Sequence, residues 1–344
     1  MVEKDQPALR SLLSVKPRRV RLGNERLVLK DYLEPEQKLP LVMRPAGSDI
    51  DPIEWATRNL VEIEAELVKH GAILFREFPF PSRIEFQEFA RAISPQLMQY
   101  TERSTPRSEV AANIYTSTEY PADQNIPLHN ENSYSHTWPG KLYFFCVEPA
   151  RSGGETPLAD SRKVYDALDK RVRDRFIEKG VMYVRNYRSA VDLPWQTAFQ
   201  TSDRAQVERY CARVGMRCEW RDHDSLRTTQ VRPATAVHPL TKENVWFNQA
   251  HLFHVSSLER NLSESLRLLY AKDELPRNSY YGDGTPIEAS ALAEIRRAYS
   301  QLATACPWQK GDLILLDNML TAHGRKSYEG SRSILVAMAN PFPK

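Results

Sequence analysis

The chain has 344 residues, 26% of them charged, and a formal net charge of only +3. Its basic residues are scattered except for a small cluster at 16–21, which we interpret as a solvated strand, so nothing favours a nucleic-acid surface. No apolar stretch approaches the length of a membrane span, and the first five residues lack the apolar core of a signal peptide, so we expect no membrane partner.

The cysteines indicate the redox compartment. Cys146, Cys211, Cys218 and Cys306 include no Cys-x-x-Cys pair. Such cysteines are typical of reduced thiols, so we expect a cytoplasmic protein. The length permits one large domain or two ordinary ones, and we predict a single domain over 1–344.

The N-terminal quarter predicts a hairpin, two helices and a buried strand. The hairpin is expected over 20–30 with its turn at Gly23-Asn24, the first helix from Asp51 to Gly71, the strand over 72–76 and the second helix over 83–93. The second helix has Phe86, Phe89 and Ile93 on one face.

Leu128-His129-Asn130-Glu131 is the first motif that carries chemistry. Alternate side chains of a strand share a face, so His129 and Glu131 are predicted to point the same way from one extended segment. The His-x-Glu pattern alone is weak, and Glu131 could equally be a solvated charge at a strand edge. A β-rich run at 143–147 and a glycine turn at 152–154 place the motif among hairpins.

A long mixed segment follows, from 183 to 306. It is predicted to contain a helix near 204–214, strands near 228–238 and 245–248, and helices near 263–272 and 287–299. His238, His251 and His254 fall within it, but their spacing fits no closed zinc pattern, so we do not expect a second metal site there.

The last part of the chain supplies a second histidine. The apolar run at 311–318 predicts a buried strand that leads toward His323. Two imidazoles and one carboxylate suit a mononuclear non-haem Fe(II) site, in which His129, Glu131 and His323 would occupy one triangular face of an octahedron. The three remaining positions can accept a bidentate cosubstrate and dioxygen.

These motifs together resemble the taurine dioxygenase and clavaminate synthase-like family of Fe(II)/2-oxoglutarate-dependent oxygenases. His129-x-Glu131 is similar to the first ligand pair, with Glu as in the clavaminate synthase branch, and His323 to the distal ligand. Thr156 matches the family threonine that hydrogen-bonds the cosubstrate, and Arg332 the arginine that clamps its distal carboxylate. Because the loop between His323 and Arg332 is shorter than in the taurine and clavaminate enzymes, Arg325 remains an alternative clamp.

The chemistry of these residues fits the roles that the resemblance implies. A guanidinium presents a planar fork that matches a carboxylate. The alternative for Arg332 is a surface ion pair with Glu329, and the alternative for Thr156 is a hydroxyl that merely suits a β-strand.

The resemblance implies a mostly β fold with flanking helices. Its core would be a distorted double-stranded β-helix, a jelly-roll or cupin-like arrangement of two antiparallel sheets over the metal. The segment 183–306 would then be an insertion that covers the barrel mouth. We predict that it is a lid that orders when substrate binds.

The resemblance also favours a reaction. Halogenating relatives lack the carboxylate ligand, whereas Glu131 fills that position, so hydroxylation of an unactivated C–H bond is favoured, with Fe(II) as cofactor and 2-oxoglutarate and O2 as cosubstrates. Desaturation or cyclisation would use the same residues and stays open. A non-catalytic metal-binding cupin-like protein and a structural interaction domain are further alternatives, but neither explains a carboxylate clamp beside a metal triad.

The substrate is indicated by a narrower resemblance. The segments 129–135 and 248–253 resemble those of syringomycin-type β-hydroxylases of non-ribosomal peptide pathways, which implies an amino-acid-like substrate in secondary-metabolite biosynthesis, either free or tethered to a peptidyl carrier protein. Asn248 is a candidate substrate contact, or simply a turn residue. Arg185, Arg188 and Lys141 are candidate partners of an acidic substrate, or ordinary surface charges.

Overall fold

The computed structural model describes residues 27–80, 82–99, 108–117, 120–188, 193–222, 224–271 and 273–342. Its helices are α1 (Pro52–Arg58), α2 (Leu60–His70), α3 (Arg83–Ile93), α4 (Ser161–Ala167), α5 (Lys170–Lys179), α6 (Trp195–Phe199), α7 (Arg204–Val214), α8 (Ala250–Phe253), α9 (Arg260–Leu269) and α10 (Ala289–Leu302). Its strands are β1 (Val28–Glu34), β2 (Gln37–Pro45), β3 (Ala72–Phe75), β4 (Glu109–Ala111), β5 (Ile114–Thr116), β6 (Ile126–His129), β7 (Trp138–Glu148), β8 (Ser152–Gly153), β9 (Leu158–Asp160), β10 (Val181–Tyr187), β11 (Arg217–Arg221), β12 (Ser225–Arg232), β13 (Thr235–Val237), β14 (Asn244–Trp246), β15 (Arg277–Tyr281), β16 (Leu313–Asp317), β17 (Thr321–Arg325), β18 (Tyr328–Glu329) and β19 (Ser333–Phe342).

An eight-stranded sheet is the largest layer of the molecule. Its spatial order is β1-β2-β3-β16-β7-β19-β5-β4, and its pairs are antiparallel except for β2 with β3. Successive side chains of a strand point to opposite faces. Accordingly, Phe145 of β7 packs into a core beneath α1–α3, while Phe144 points into a second core on the other face of the sheet.

A three-stranded sheet lies against this second face. Its order is β6-β17-β9, and Leu158 of β9 packs in the same core as Phe144. The two sheets therefore face each other across an apolar core, as predicted. Strand pairing among the described residues does not join them into a closed barrel, so the structure supports the predicted architecture only in this coarser form.

The N-terminal elements correct one prediction and leave another untested. The hairpin formed by β1 and β2 turns at 35–36, and the predicted turn at Gly23-Asn24 and the basic cluster lie outside the described residues. The predicted helix from Asp51 to Gly71 is two helices, α1 and α2. They are separated at Asn59, whose side chain donates to the Trp55 carbonyl at 2.8 Å. The strand predicted at 72–76 and the helix at 83–93 are confirmed.

The part of the chain from β10 to α10 has a four-stranded sheet of its own, in the order β11-β12-β10-β15, and a separate two-stranded ribbon, β13-β14. Its helix α7 has the predicted bounds, and β14, α9 and α10 match the other predictions to within a few residues. The strand predicted over 228–238 is wrong, because β12 ends before Pro233, which has no N–H to donate to a ladder, and β13 begins beyond it.

The segment 183–306 packs with α5 against the outer face of the three-stranded sheet. Trp246 and Tyr281 share a core with Phe176 of α5, Ala322 of β17 and Ala159 of β9. One face of β17 thus meets this core, and the other faces the eight-stranded sheet. No described helix is both long and apolar enough to cross a membrane.

Candidate metal centre

The three predicted ligands converge at the open end of the three-stranded sheet. His129 is the last residue of β6 and lies directly opposite His323 of β17, with the ring centroids 4.6 Å apart. Glu131 Oε2 lies 3.9 Å from His323 Nε2. One ligand atom from each residue lies within 4.8 Å of the others, and this is the one cluster in the described chain that could hold a metal ion.

The prediction that Glu131 shares a strand with His129 is wrong. Strand β6 ends at His129, and Glu131 lies in the turn that follows. Asn132 has a φ of +54°, a left-handed conformation that Asn tolerates better than most residues. The two side chains reach the same site because the chain bends, rather than because the strand alternates.

His129 is oriented for coordination. Its Nδ1 donates to the Pro127 carbonyl at 2.8 Å, and this tautomer leaves the Nε2 lone pair for a metal. Glu131 and His323 are both buried, and the His323 ring lies 5.0 Å from that of Phe144. Two imidazole nitrogens and a carboxylate oxygen in this spacing fit an Fe(II) ion.

Asn318 fixes the position of Glu131 and was not predicted from the sequence. Its Oδ1 accepts from the Glu131 backbone N–H at 2.7 Å, and its Nδ2 donates to the Glu131 carbonyl at 2.9 Å. The same Nδ2 donates to the Pro139 carbonyl at 2.8 Å. Asn318 therefore holds the ligand turn against the strand that leads to His323. The only signal in the sequence was its place at a strand end, which indicates a turn residue.

The segment after β14 braces the ligand strand from the other side. Gln249 Nε2 donates to the Asn130 carbonyl at 2.7 Å, and His251 Nε2 donates to the Leu128 carbonyl at 2.9 Å. Burial lowers the pKa of His251 to about 3, although the Leu128 carbonyl opposes the shift, so the ring is neutral. Neither residue had been assigned this role.

Asn248, by contrast, is not brought to the site. Its Nδ2 donates to the Ala234 carbonyl at 2.7 Å, and its Oδ1 accepts from the Ala250 N–H at 3.0 Å. Both ends of the Asn248 amide thus bond to the backbone, which agrees with the alternative that Asn248 is a turn residue. His238 likewise has a separate partner, Asp317, at 3.1 Å.

A cleft extends from the metal ligands between the two sheets. Thr156, Arg332, Arg325 and Phe144 line it together with both histidines. Thr156 lies between β8 and β9, so the alternative that it is a strand hydroxyl is wrong. Its Oγ1 accepts from Trp308 Nε1 at 3.0 Å, which leaves the Thr156 hydroxyl proton for an acceptor in the cleft.

The two arginines have different environments. Arg332 Nε donates to the Gly154 carbonyl at 3.0 Å, and burial, together with the nearby Arg325 charge, lowers the pKa of Arg332 to about 10. The alternative ion pair between Arg332 and Glu329 is wrong, because Glu329 pairs with Arg151 at 2.9 Å. Both arginines nevertheless stay protonated near neutral pH.

Arg325 is committed to the backbone. Its guanidinium donates to the carbonyls of Tyr120 at 2.9 Å, Gln124 at 2.8 Å and Pro121. It therefore fastens the loop 120–124 to β17. Within the described part of the chain, the Nη atoms of Arg332 donate to no backbone carbonyl. The geometry favours Arg332 as the group that faces a carboxylate.

The predicted cationic substrate contacts lie apart from the cleft. Lys141 forms an ion pair with Glu64 of α2. Arg188 pairs with Glu274 at 3.3 Å and lines a separate cavity of about 620 Å³ in the insertion. Arg185 is buried in β10 with its guanidinium 4.5 Å from the Tyr187 ring centroid. The structure does not bring any of the three together with the metal ligands.

The model of the family "Taurine catabolism dioxygenase TauD, TfdA family" matches residues 39–338. The chain belongs to this family. It is 40% identical over 279 residues to the dapdiamide synthesis protein DdaC of Enterobacter agglomerans, which covers 81% of this chain and 85% of that protein. It is 29% identical over 342 residues to a clavaminate synthase-like protein of Arabidopsis thaliana, covering 91% and 98%.

The fold of this TauD/TfdA-family protein is similar to a solved structure of PvcB, described as an Fe, alpha-ketoglutarate dependent oxygenase from an isonitrile synthetic pathway. The TM-score is 0.53 at 14% identity, and the match covers 94% of each chain. The family resemblance predicted from the motifs is confirmed. The chain is a dioxygenase that uses Fe(II) and 2-oxoglutarate.

Proposed function

We propose that this dioxygenase hydroxylates an unactivated C–H bond of an amino acid or amino-acid derivative in secondary-metabolite biosynthesis. The observation that carries the proposal is the convergence of His129, Glu131 and His323 at one end of a cleft that Thr156 and Arg332 also line. A relative named for dapdiamide synthesis supports a biosynthetic role.

The residues of the cleft have separate tasks. His129, Glu131 and His323 would hold Fe(II), which with bound 2-oxoglutarate and dioxygen supplies the oxidising chemistry. Arg332 would receive the distal carboxylate of 2-oxoglutarate on its planar guanidinium. Thr156 would donate its hydroxyl proton to the same carboxylate, and Phe144 would help to exclude water from the reacting centre.

Glu131 favours hydroxylation over halogenation, because it supplies a protein ligand where a halide would otherwise bind. Desaturation and cyclisation remain the second candidate reactions, since they need the same ligands. Whether the substrate is free or tethered to a peptidyl carrier protein is a further prediction. We also infer that the two facing sheets form a distorted double-stranded β-helix, with 183–306 as an insertion and lid.

Absorption spectroscopy and product analysis test this function. Anaerobic addition of Fe(II) and 2-oxoglutarate should give a visible metal-to-ligand charge-transfer band. The variants His129→Ala, Glu131→Ala and His323→Ala should lose the band and the release of succinate, whereas the control His136→Ala, at an exposed position, should keep both. Succinate release at the wild-type rate by any ligand variant would refute the metal assignment.

Mass spectrometry of the product separates the candidate reactions. Hydroxylation adds one oxygen atom to the substrate, whereas desaturation and cyclisation remove two hydrogen atoms. Candidate substrates are free amino acids and the same amino acids loaded on a carrier protein. Loss of two hydrogen atoms without a gain of oxygen would show that the reaction is desaturation or cyclisation and not hydroxylation.

A further inference from the structure

Another cavity lies beside strand β6, on the side of helix α10. We call it the α10 groove. It has a volume of about 220 Å³ and is lined by Asn125 and the first three residues of β6, by one face of α10 and by Arg325 and Lys326 at the end of β17. This volume is below that of ordinary sites for drug-sized ligands, so the groove suits a small molecule or one end of a larger one.

The charged side chains that line the α10 groove are all cationic. Arg296, Arg325 and Lys326 line it, and its lining contains no Asp or Glu. Arg296 Nη2 donates to the His251 carbonyl and to Ser256 Oγ, both at 2.9 Å, and Arg325 donates to three carbonyls. Among the residues the structure describes, none of these cations has an acidic side chain within ion-pair distance.

Burial makes this arrangement costly without an anion. Burial alone lowers the pKa of Arg296, and no acidic group offsets the shift. Arg325 is itself buried, and its hydrogen bonds go to neutral backbone carbonyls. Partly buried cations are usually paired, because removing a charge from water costs free energy that a counter-ion recovers.

The rest of the lining carries no negative charge. Its side chains are proline, aliphatic, amide, hydroxyl and imidazole groups, and the rings of His251 and Tyr299 lie 4.8 Å apart on the wall. An oxyanion in the groove would therefore meet the cations without a competing anionic side chain.

We propose that the α10 groove binds a small oxyanion, a phosphate or carboxylate group, through Arg296 and Lys326. This site is distinct from the cosubstrate cleft, although Arg325 and Ile126 line both. One wall of the groove is β6, which ends at His129, so the bound anion touches the strand that carries a metal ligand.

Calorimetric titration of the full chain with inorganic phosphate, and separately with succinate, tests the proposal. Arg296→Ala should weaken binding of the accepted anion by about tenfold or more, because it removes a charge-assisted contact. Lys326→Ala, at an exposed position, should weaken it by about threefold. The matched control Arg297→Ala removes an exposed arginine from the same helix and should leave the affinity unchanged.

Further titrations distinguish binding in the groove from binding in the cosubstrate cleft. Binding in the groove should persist in Arg332→Ala. If Arg332→Ala abolishes succinate binding, the succinate was bound in the cleft, which argues against a carboxylate in the groove. Saturable binding of phosphate but not of succinate identifies a phosphate site. The proposal is overturned if neither anion binds, or if Arg296→Ala and Lys326→Ala, both confirmed as folded by circular dichroism, bind as the wild type does. Failure here would leave the charge-transfer test of the oxygenase unaffected.

Discussion

Arg332 and Arg325 line one cleft, yet their guanidinium groups do different things. Arg332→Ala should raise the KM for 2-oxoglutarate roughly 10- to 100-fold, because it removes a charge-assisted contact of about 1.5–3 kcal/mol. Arg332→Lys should give a smaller defect, since it keeps the charge and loses the planar fork. Succinate release as a function of 2-oxoglutarate concentration measures both.

Arg325→Ala is the variant to compare with Arg332→Ala. It should lower the Tm, because three backbone carbonyls of the loop 120–124 lose their donor. If Arg325→Ala raised the KM for 2-oxoglutarate at an unchanged Tm, and Arg332→Ala left that KM normal, then Arg325 would bind the cosubstrate and Arg332 would not.

Asn318 provides a second prediction for a single residue. Asn318→Ala should weaken the binding of Mn(II), used in place of Fe(II), by about tenfold, because partners that orient ligands typically contribute that much. The measurement is a titration of free Mn(II) by electron paramagnetic resonance. Asn261→Ala, at an exposed position on α9, should bind Mn(II) as the wild type does. Equal affinities in all three proteins would show that Glu131 keeps its position without Asn318.

Local sequence patterns could identify the side chains whose chemistry is unusual for their position in the chain. All five predicted site residues stand in motifs: His129, Glu131, His323, Thr156 and Arg332. The structure brings four of them to one cleft and places Glu131 beside its two histidines. Supporting residues carry no such mark. Asn318 contacts a residue 187 positions away, and Trp308 reaches Thr156 across 152, so their roles exist only once the chain is folded.

At the scale of elements, prediction succeeded where an element ends on local chemistry. Helix α3 begins after Ser82, whose hydroxyl accepts from the Ile84 N–H, and α7 runs from the cap Asp203 to Gly215, which has a φ of +66°. It failed where a single side chain interrupts a continuous periodicity. The apolar pattern runs on across Asn59, where the backbone leaves the helical conformation at a φ of −113° and the side chain bonds to the Trp55 carbonyl.

The contact between the α8 segment and β6 gives a pH prediction. The pKa of His251 is about 3 in the folded protein, because it is buried, against 6.5 as its ordinary value. As pH falls through 6.5, the unfolded chain gains a proton on His251 that the folded chain does not, so stability is present above that pH and is lost as pH falls toward 3. Between about pH 7 and about pH 5, this one group should lower the free energy of unfolding by about 2 kcal/mol.

Urea unfolding at a series of pH values measures this loss. His251→Gln keeps a donor for the Leu128 carbonyl but does not titrate, so its stability should fall less over the same range. His136→Gln, which replaces an exposed histidine, should follow the wild type. Parallel curves for His251→Gln and the wild type would mean that His251 takes up its proton equally in both states.

At the scale of the whole molecule, the ligand-bearing sheet is held between two larger units. Leu158 of β9 packs toward the eight-stranded sheet, and Ala159 packs toward the insertion with Trp246. The sequence indicated the sheets by their apolar runs and the insertion by its length. It could not indicate that the insertion rests on the sheet of the metal ligands, because the small residues Ala159 and Ala322 form that contact and carry no distinctive signal.

The prediction that 183–306 is a lid concerns this contact. The segment Asn278–Glu288 is anchored to the end of α5, just before 183–306: Gly282 N–H donates to the Gly180 carbonyl at 3.1 Å, and Asp283 pairs with Lys179. Cleavage there by a protease requires these contacts to open, so its rate would report movement of this segment relative to α5. With Fe(II) and 2-oxoglutarate present throughout, adding the true substrate, free or loaded on a carrier protein, should slow cleavage in this segment. Cleavage at the β1–β2 turn, which lies outside the insertion, should keep its rate. Equal cleavage of Asn278–Glu288 with a turned-over substrate and without it would show that the insertion is a fixed wall of the site.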